Sequence, residues 1–359
     1  MAPAAEPRGL SVQNGELRLR GKPFRGIGVN YYDAFARTLA RGDDHSYDDG
    51  FGVLRERGIP FVRFAACGYW PSAMGLYRTN KDEYFRRLDG VVRAAEKHNV
   101  GLIPSLFWYL PTVPDLAGEP CGEWGNPKGK VHEFMRAYTK EVVTRYRNSP
   151  AIWGWEFGNE YNLAADLPNA AEHRPAIIPD LGTAKTRGAA DDISSEMVRV
   201  ALAAFADEVR RHDPDRLLVT GNAISRASAW HLAKEKSWTM DTPDQFAEIL
   251  GRENPDPYAV LSIHVYPEDA GRLAGAARVA SKSGKPLFVG EFGVPGEADA
   301  KARRQFEELL GRIEREKVPL AALWVFDFKD QGDYSVTSTG GRAWQLEAIA
   351  AANRRMNGR

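Results

Sequence analysis

The feature that most constrains this chain is a beat running almost its whole length. Short apolar runs alternate with longer amphipathic segments of helical period. Parallel strands covered on both faces read as near-continuous apolar runs, and each needs a crossover to reach the next. The beat therefore predicts repeated βα units around a parallel sheet. Strands are expected at 24–30, 61–64, 101–107, 151–161, 217–220, 259–265, 286–290 and 320–326. The first intervening helix carries apolar Phe51, Val53 and Leu54 and is stopped by Gly58 and Pro60. The others are expected near 81–98, 130–146, 195–212, 243–251, 269–283, 299–317 and 342–353. Eight of each, with no linker between them, predict an α/β chain folded as a single (β/α)8 TIM barrel with long βα loops. Residues 1–22 form an N-terminal lead-in and 23–359 the barrel. The competing fold, a two-domain doubly wound sheet, lacks its Gly-x-Gly-x-x-Gly or P-loop signature here. The stretch from 161 to about 191 is too long for a routine connection and is read as a rim loop.

The fourth apolar run, Ala151-Ile152-Trp153-Gly154-Trp155-Glu156-Phe157-Gly158-Asn159-Glu160-Tyr161, ends in an amide beside a carboxylate. Strand alternation puts Glu156, Gly158 and Glu160 on one side and Asn159 on the other, unless the backbone bends there. Burying such a pair is costly, so a strand that keeps one points to binding or chemistry. A second acid, Glu291, closes the seventh run. Chemistry in these barrels gathers at the C-terminal strand ends. The ends here bring Asn30-Tyr31-Tyr32, Arg63, Phe107-Trp108-Tyr109, Asn159-Glu160, Asn222, His264-Val265-Tyr266, Glu291 and Trp324.

Taken in order, these residues resemble the clan A retaining glycoside hydrolases. They are most similar to glycoside hydrolase family 5, the cellulase and β-mannanase family, over about 24–344. The resemblance implies Glu160 as acid/base and Glu291 as nucleophile. It implies Asn159 on the sugar 2-hydroxyl, Arg63 and Tyr266 orienting Glu291, His264 near Glu160, and Trp324 under the sugar at the cleavage point. Two positions depart from the family pattern. Ser105-Leu106-Phe107-Trp108 stands where many members carry a histidine after strand three, and Tyr161 stands where many have proline. Retention needs one protonated and one ionised carboxyl about 5–5.5 Å apart, and an adjacent Arg63 would hold Glu291 ionised.

Other residues are legible only as candidates. With 9 Trp, 13 Tyr and 16 Phe, the chain has aromatic rings to stack on sugars, among them Tyr31, Tyr69, Trp70, Trp108, Trp124, Tyr161, Trp230 and Trp238. Lys329 and Asp330, after strand eight, are candidates for hydroxyls of a non-reducing-end sugar. Structural alternatives are a barrel-end ion pair for Arg63, a core imidazole for His264 and core packing for Trp324. Glu156, deeper than Glu160, is read as structural.

Equal numbers of basic and acidic residues, 48 each, give no bulk field for nucleic acid or an anionic membrane. No apolar run reaches the ~20 residues of a membrane span. The expected partner is a β-linked polysaccharide or oligosaccharide acted on by a monomer with no cofactor and no metal. Endo-β-mannanase, β-glucanase and exo-β-glycosidase all fit, and long loops at 161–191 and 223–242 would favour exo-action. The Pro/Ala-rich start, Met1 to Pro7, reads as a mature exported terminus, so a secreted or periplasmic location is expected, with a cytoplasmic one as the alternative. Cys67 and Cys121 allow one bridge or two free thiols. A metal-dependent barrel using His264, Glu160, Glu291 and His231, and a catalytically idle sugar-binding protein, are the competing readings.

Overall fold

The computed structural model describes residues 8–297 and 299–358. The reading of the terminus at 1–7 lies outside the described residues. Eight parallel strands follow in chain order: β1 (Gly26–Asn30), β2 (Phe61–Ala65), β3 (Gly101–Phe107), β4 (Gly154–Gly158), β5 (Leu217–Val219), β6 (Leu261–Val265), β7 (Leu287–Phe292) and β8 (Leu320–Leu323). Every residue in them is buried, which is why the runs carry no polar alternation. The sheet order is β5-β4-β3-β2-β1-β8-β7-β6, a nearly closed barrel. The open seam between β5 and β6 is stitched by Asn254, whose Oδ1 accepts from Thr220 Oγ1 at 2.9 Å and from Ser262 N at 2.9 Å.

The outer ring is α1 (Tyr47–Glu56), α2 (Lys81–His98), α3 (Lys130–Tyr146), α4 (Ser195–His212), α5 (Pro243–Glu253), α6 (Leu273–Ser283), α7 (Ala300–Arg315) and α8 (Trp344–Met356). Boundaries match expectation where capping residues mark them. Asn80 accepts from Glu83 N at the start of α2, and Asn99 ends that helix in the left-handed region. Thr242 and Gln245 form a capping box with Pro243 opening α5. Strands are shorter than expected where the run continues beyond the ladder. Ile152 makes only an isolated bridge to Leu102, and Phe326 leaves β8 to pair with Val336. The 223–242 region contains a short helix, Ala229–Glu235, that its sequence did not signal.

The lead-in forms a small antiparallel sheet, Leu10–Gln13 with Glu16–Leu19 and Lys22–Pro23. Its Leu10 and Leu17 pack on Phe61, Ile103, Trp153 and Phe288, sealing the N-terminal end of the barrel. The opposite end is left for the cleft.

Candidate active site

Strand register concentrates the polar residues at the open end. Asn30 lies beside Arg63, Ser105 beside Glu156, and His264 beside Glu291. A bulge in β7 between Val289 and Glu291 shifts the register next to the acid. After β4 the chain bends as its alternation required. Glu160 adopts φ 55°, its N–H donates to Gly221 O at 2.8 Å, and both Asn159 and Glu160 line the cleft. Gly221, at φ 75°, permits this approach, since a Cβ there would stand 1.8 Å from Gly158 O. Carboxylate oxygens of Glu160 and Glu291 thereby come within 4.8 Å of each other.

A single guanidinium organises the floor. Arg63, fully buried, donates from Nε to both oxygens of Glu156 at 2.8 and 2.9 Å. Its Nη1 donates to Glu291 Oε1 at 2.7 Å and Asn30 Oδ1 at 3.0 Å, and its Nη2 to Asn159 Oδ1 at 2.7 Å. Glu156 is thus the structural partner expected of it. Tyr266 OH donates to Glu291 Oε2 at 2.6 Å, so both oxygens of that acid are held.

Burial pushes Glu291 above the ordinary carboxylate range, opposed by Arg63 and the Tyr266 hydrogen bond and reinforced by Glu160. The expectation that Arg63 simply holds Glu291 low is therefore incomplete, because that cation is divided between two buried acids. Burial raises Glu160 too, and only the more distant charges of Arg63 and Arg226 oppose it. His264 Nδ1 stands 2.8 Å from Glu160 Oε1 and 3.5 Å from Glu291 Oε2. Burial lowers its pKa to about 3, so the ring is neutral at neutral pH. Its Nε2 is buried without a partner among the described residues. The tautomer that orphans no N–H carries the proton on Nδ1 and donates it to Glu160.

The walls are aromatic. Trp324 lies nearly parallel to Trp108 at 5.9 Å, and its Nε1 donates to Gln331 Oε1 at 2.6 Å. Arg63 lies under Trp108, 4.4 Å from the ring centroid. Lys329 and Asp330 are exposed and line the rim of the same cleft. Tyr31 is a correction. It is wholly buried, its ring packs on Phe51 and Phe326, and its hydroxyl contacts Arg37 and Asp327 instead of the cleft. Tyr32 takes the wall, edge-on to Trp108 at 4.9 Å. Trp124 is likewise core. Cys67 and Cys121 are both free and buried. Glu160, His264 and Glu291 form a trio of potential metal donors, whereas His231 pairs with Asp241 and does not join it.

The cleft has two parts. A larger one of about 1180 Å³ contains both acids. A smaller one of about 370 Å³ contains Glu160 but not Glu291, and residues of the 161–193 segment form one of its walls. They share Tyr69, Trp108, Asn159 and Glu160.

The family model for Cellulase (glycosyl hydrolase family 5) matches residues 20–329. The chain belongs to glycosyl hydrolase family 5. Among curated relatives, mannan endo-1,4-beta-mannosidase F of Aspergillus clavatus is 25% identical over 310 residues, covering 78% of this chain and 63% of that protein. A probable mannan endo-1,4-beta-mannosidase F of Aspergillus flavus is 45% identical over 137 residues, 33% of this chain and 28% of that one. The chain thus spans less than two thirds of either relative. The solved endo-1,4-beta-mannanase of Rhizomucor miehei shares the fold, with TM-score 0.71 and 17% identity over 97% of this chain and 99% of that one. An exo-beta-1,4-mannosidase from an Opitutaceae bacterium does so at TM-score 0.65 and 17% identity, over 96% and 63%.

As a family 5 chain, this one carries Ser105-Leu106-Phe107-Trp108 where a strand-three histidine was expected, and Ser105 donates to Gly158 O at 3.2 Å. The indole of Trp108 supplies the wall there. Tyr161, in place of proline, is buried and donates to Phe107 O at 2.8 Å, pinning the bend after Glu160. Sequence reasoning placed Tyr32 at its strand end without choosing it as a candidate, and it did not single out Gln331 or Arg226. Tyr32 had a signal, for it lies two residues beyond inward-facing Asn30. Gln331 and Arg226 had none, since loops fix them.

Proposed function

We propose that this chain is a retaining β-glycoside hydrolase that cleaves within β-1,4-mannan-type chains by double displacement. The observation that carries the reading is the approach of Glu160 and Glu291 to within 4.8 Å. That is the short spacing of a retaining pair, well under the 6.5–9.5 Å an inverting water requires. Glu291, with both oxygens accepting charge-assisted or short hydrogen bonds, is suited to be the anion that attacks the anomeric carbon. Glu160 keeps the proton that leaves with the departing oxygen. With Oε1 accepting from His264, its Oε2 is the oxygen that carries it. In the second step Glu160 takes a proton from water, which displaces Glu291 from the sugar.

Asn159, oriented by Arg63, is placed for a hydroxyl next to the reacting carbon, and Trp324 and Trp108 supply apolar faces for the ring. Lys329 and Asp330 offer hydrogen bonds further along the larger part of the cleft. Space on both sides of the acids favours endo-action over the exo-action that the long loops suggested. The mannan assignment rests on the names of the relatives and fold neighbours. A polymeric substrate fits a secreted or periplasmic enzyme, and no helix among the described residues is long and apolar enough to cross a membrane. Against a metal-dependent reading, Arg63 places a buried cation on Glu291 where a metal would bind.

Glu160→Gln is expected to lower hydrolysis of β-1,4-mannan by about 10²–10⁴, and Glu291→Ala to abolish it, with melting transitions retained. Substantial activity in either folded variant would end the assignment. Hydrolysis of β-glucan but not mannan would move the substrate class.

A further inference from the structure

We propose that Arg226 and Trp238 form an arm that extends the leaving-group side of the cleft, with the second sugar of the departing chain stacking on the Trp238 indole. This rests on Glu160 being the proton donor. A donor must face the departing oxygen, so the pocket that contains Glu160 without Glu291 receives the leaving chain. Arg226 lines that pocket. Its Nε and Nη2 both donate to Leu163 O, at 3.1 and 2.8 Å, fixing it to the segment that follows Glu160. Its Nη1 has no hydrogen-bond partner among the described residues, and its charge is felt at Glu160.

Beyond the pocket stands Trp238, its ring centroid 6.0 Å from the Arg226 guanidinium carbon, at the outer reach of a cation–π contact. Trp238 is 49% exposed and Met240, two residues on, 75%. The turn that carries them is tied down. Lys236 pairs with Asp166 at 2.6 Å, and Asp241 donates from its N–H to Ala227 O at 2.8 Å. The Asp241 carboxylate accepts from Trp230 N at 2.8 Å. The turn so held leaves the indole half exposed beside Arg226, which lines the pocket. Trp230 differs, its Nε1 being spent on Glu248 at 2.8 Å. Sugars present flat C–H faces to an indole and hydroxyls to a free guanidinium nitrogen, so the two side chains match successive units of one chain.

The test compares mannopentaose labelled with ¹⁸O at its reducing end with 4-nitrophenyl β-mannobioside, whose leaving group has no second sugar. Trp238→Ala, at the surface, leaves the fold intact. It should lower the ratio of kcat/KM for mannopentaose to that for the aryl substrate roughly two- to tenfold. It should also move cleavage towards the reducing-end bond. Arg226→Gln removes a cation that favours ionised Glu160, so the alkaline limb on mannopentaose should move to higher pH. An arginine with only a structural role would leave that limb in place. An unchanged ratio and cleavage pattern in Trp238→Ala would overturn the arm. A wild-type protein that cleaves neither substrate would overturn the mannan reading, and with it an arm for a mannan chain.

Discussion

Arg63 Nη1 stands 2.7 Å from Glu291 Oε1, while the Nε of the same guanidinium grips Glu156. One buried cation therefore serves two buried acids, and it ties the barrel interior to the carboxylate proposed as the nucleophile. Removing one partner of such a network leaves charges uncompensated. Arg63→Met should cost about 3–5 kcal/mol of stability, measured by denaturant unfolding, and should abolish turnover. Arg63→Lys keeps the charge but not the geometry, so it should be more stable than Arg63→Met and still strongly impaired in kcat/KM.

Tyr266→Phe isolates the other donor to Glu291. Losing a hydrogen bond to a charged acceptor is worth about 1.5–3 kcal/mol, so kcat/KM should fall roughly ten- to a hundredfold. The Tyr266 hydrogen bond opposes the rise of Glu291, so its removal should shift the acidic limb of the kcat/KM profile to higher pH. An unmoved acidic limb would deny Tyr266 that role.

The wild-type profile should be bell-shaped. Activity rises as Glu291 ionises and falls as Glu160 loses its proton, and burial raises both groups. In Glu160→Gln the alkaline limb should vanish on an aryl glycoside whose leaving group needs no proton. Persistence of that limb in the variant would assign it to another group.

Glu253, at the end of α5, lines neither part of the cleft. Its Oε2 accepts from Ser225 Oγ at 2.5 Å and Asn162 Nδ2 at 3.0 Å, joining the loops after β4 and β5. Burial pushes its pKa up to about 7 from 4.5. Between those values the folded chain keeps a proton that the unfolded chain has released, so stability falls as pH rises. The loss is on the order of 3 kcal/mol. Glu253→Gln should flatten this dependence between pH 5 and pH 7 in denaturant titrations, and an unchanged slope would count against it.

Much of this was legible in the chain because the signals are local. Apolar runs bounded by caps gave the strands and helices, and Glu160 and Glu291 stood out because each closes such a run. Arg63 was readable as a partner of Glu291, but its bond to Glu156 was not, because cross-strand register decides it. Tyr31 was chosen over Tyr32 by ignoring alternation past Asn30. Gln331 and Arg226 act through loop contacts that no periodicity encodes.

The most direct measurement is covalent trapping with 2-deoxy-2-fluoro-β-mannosyl fluoride, followed by peptide mass spectrometry. The 2-fluorine slows both displacements by destabilising their positively charged transition states, and the reactive fluoride leaving group restores the first alone, so a double displacement should stall on one sugar ester at Glu291 as activity is lost. A label on any other residue, or none while the reagent turns over, would contradict the pairing of Glu291 with Glu160.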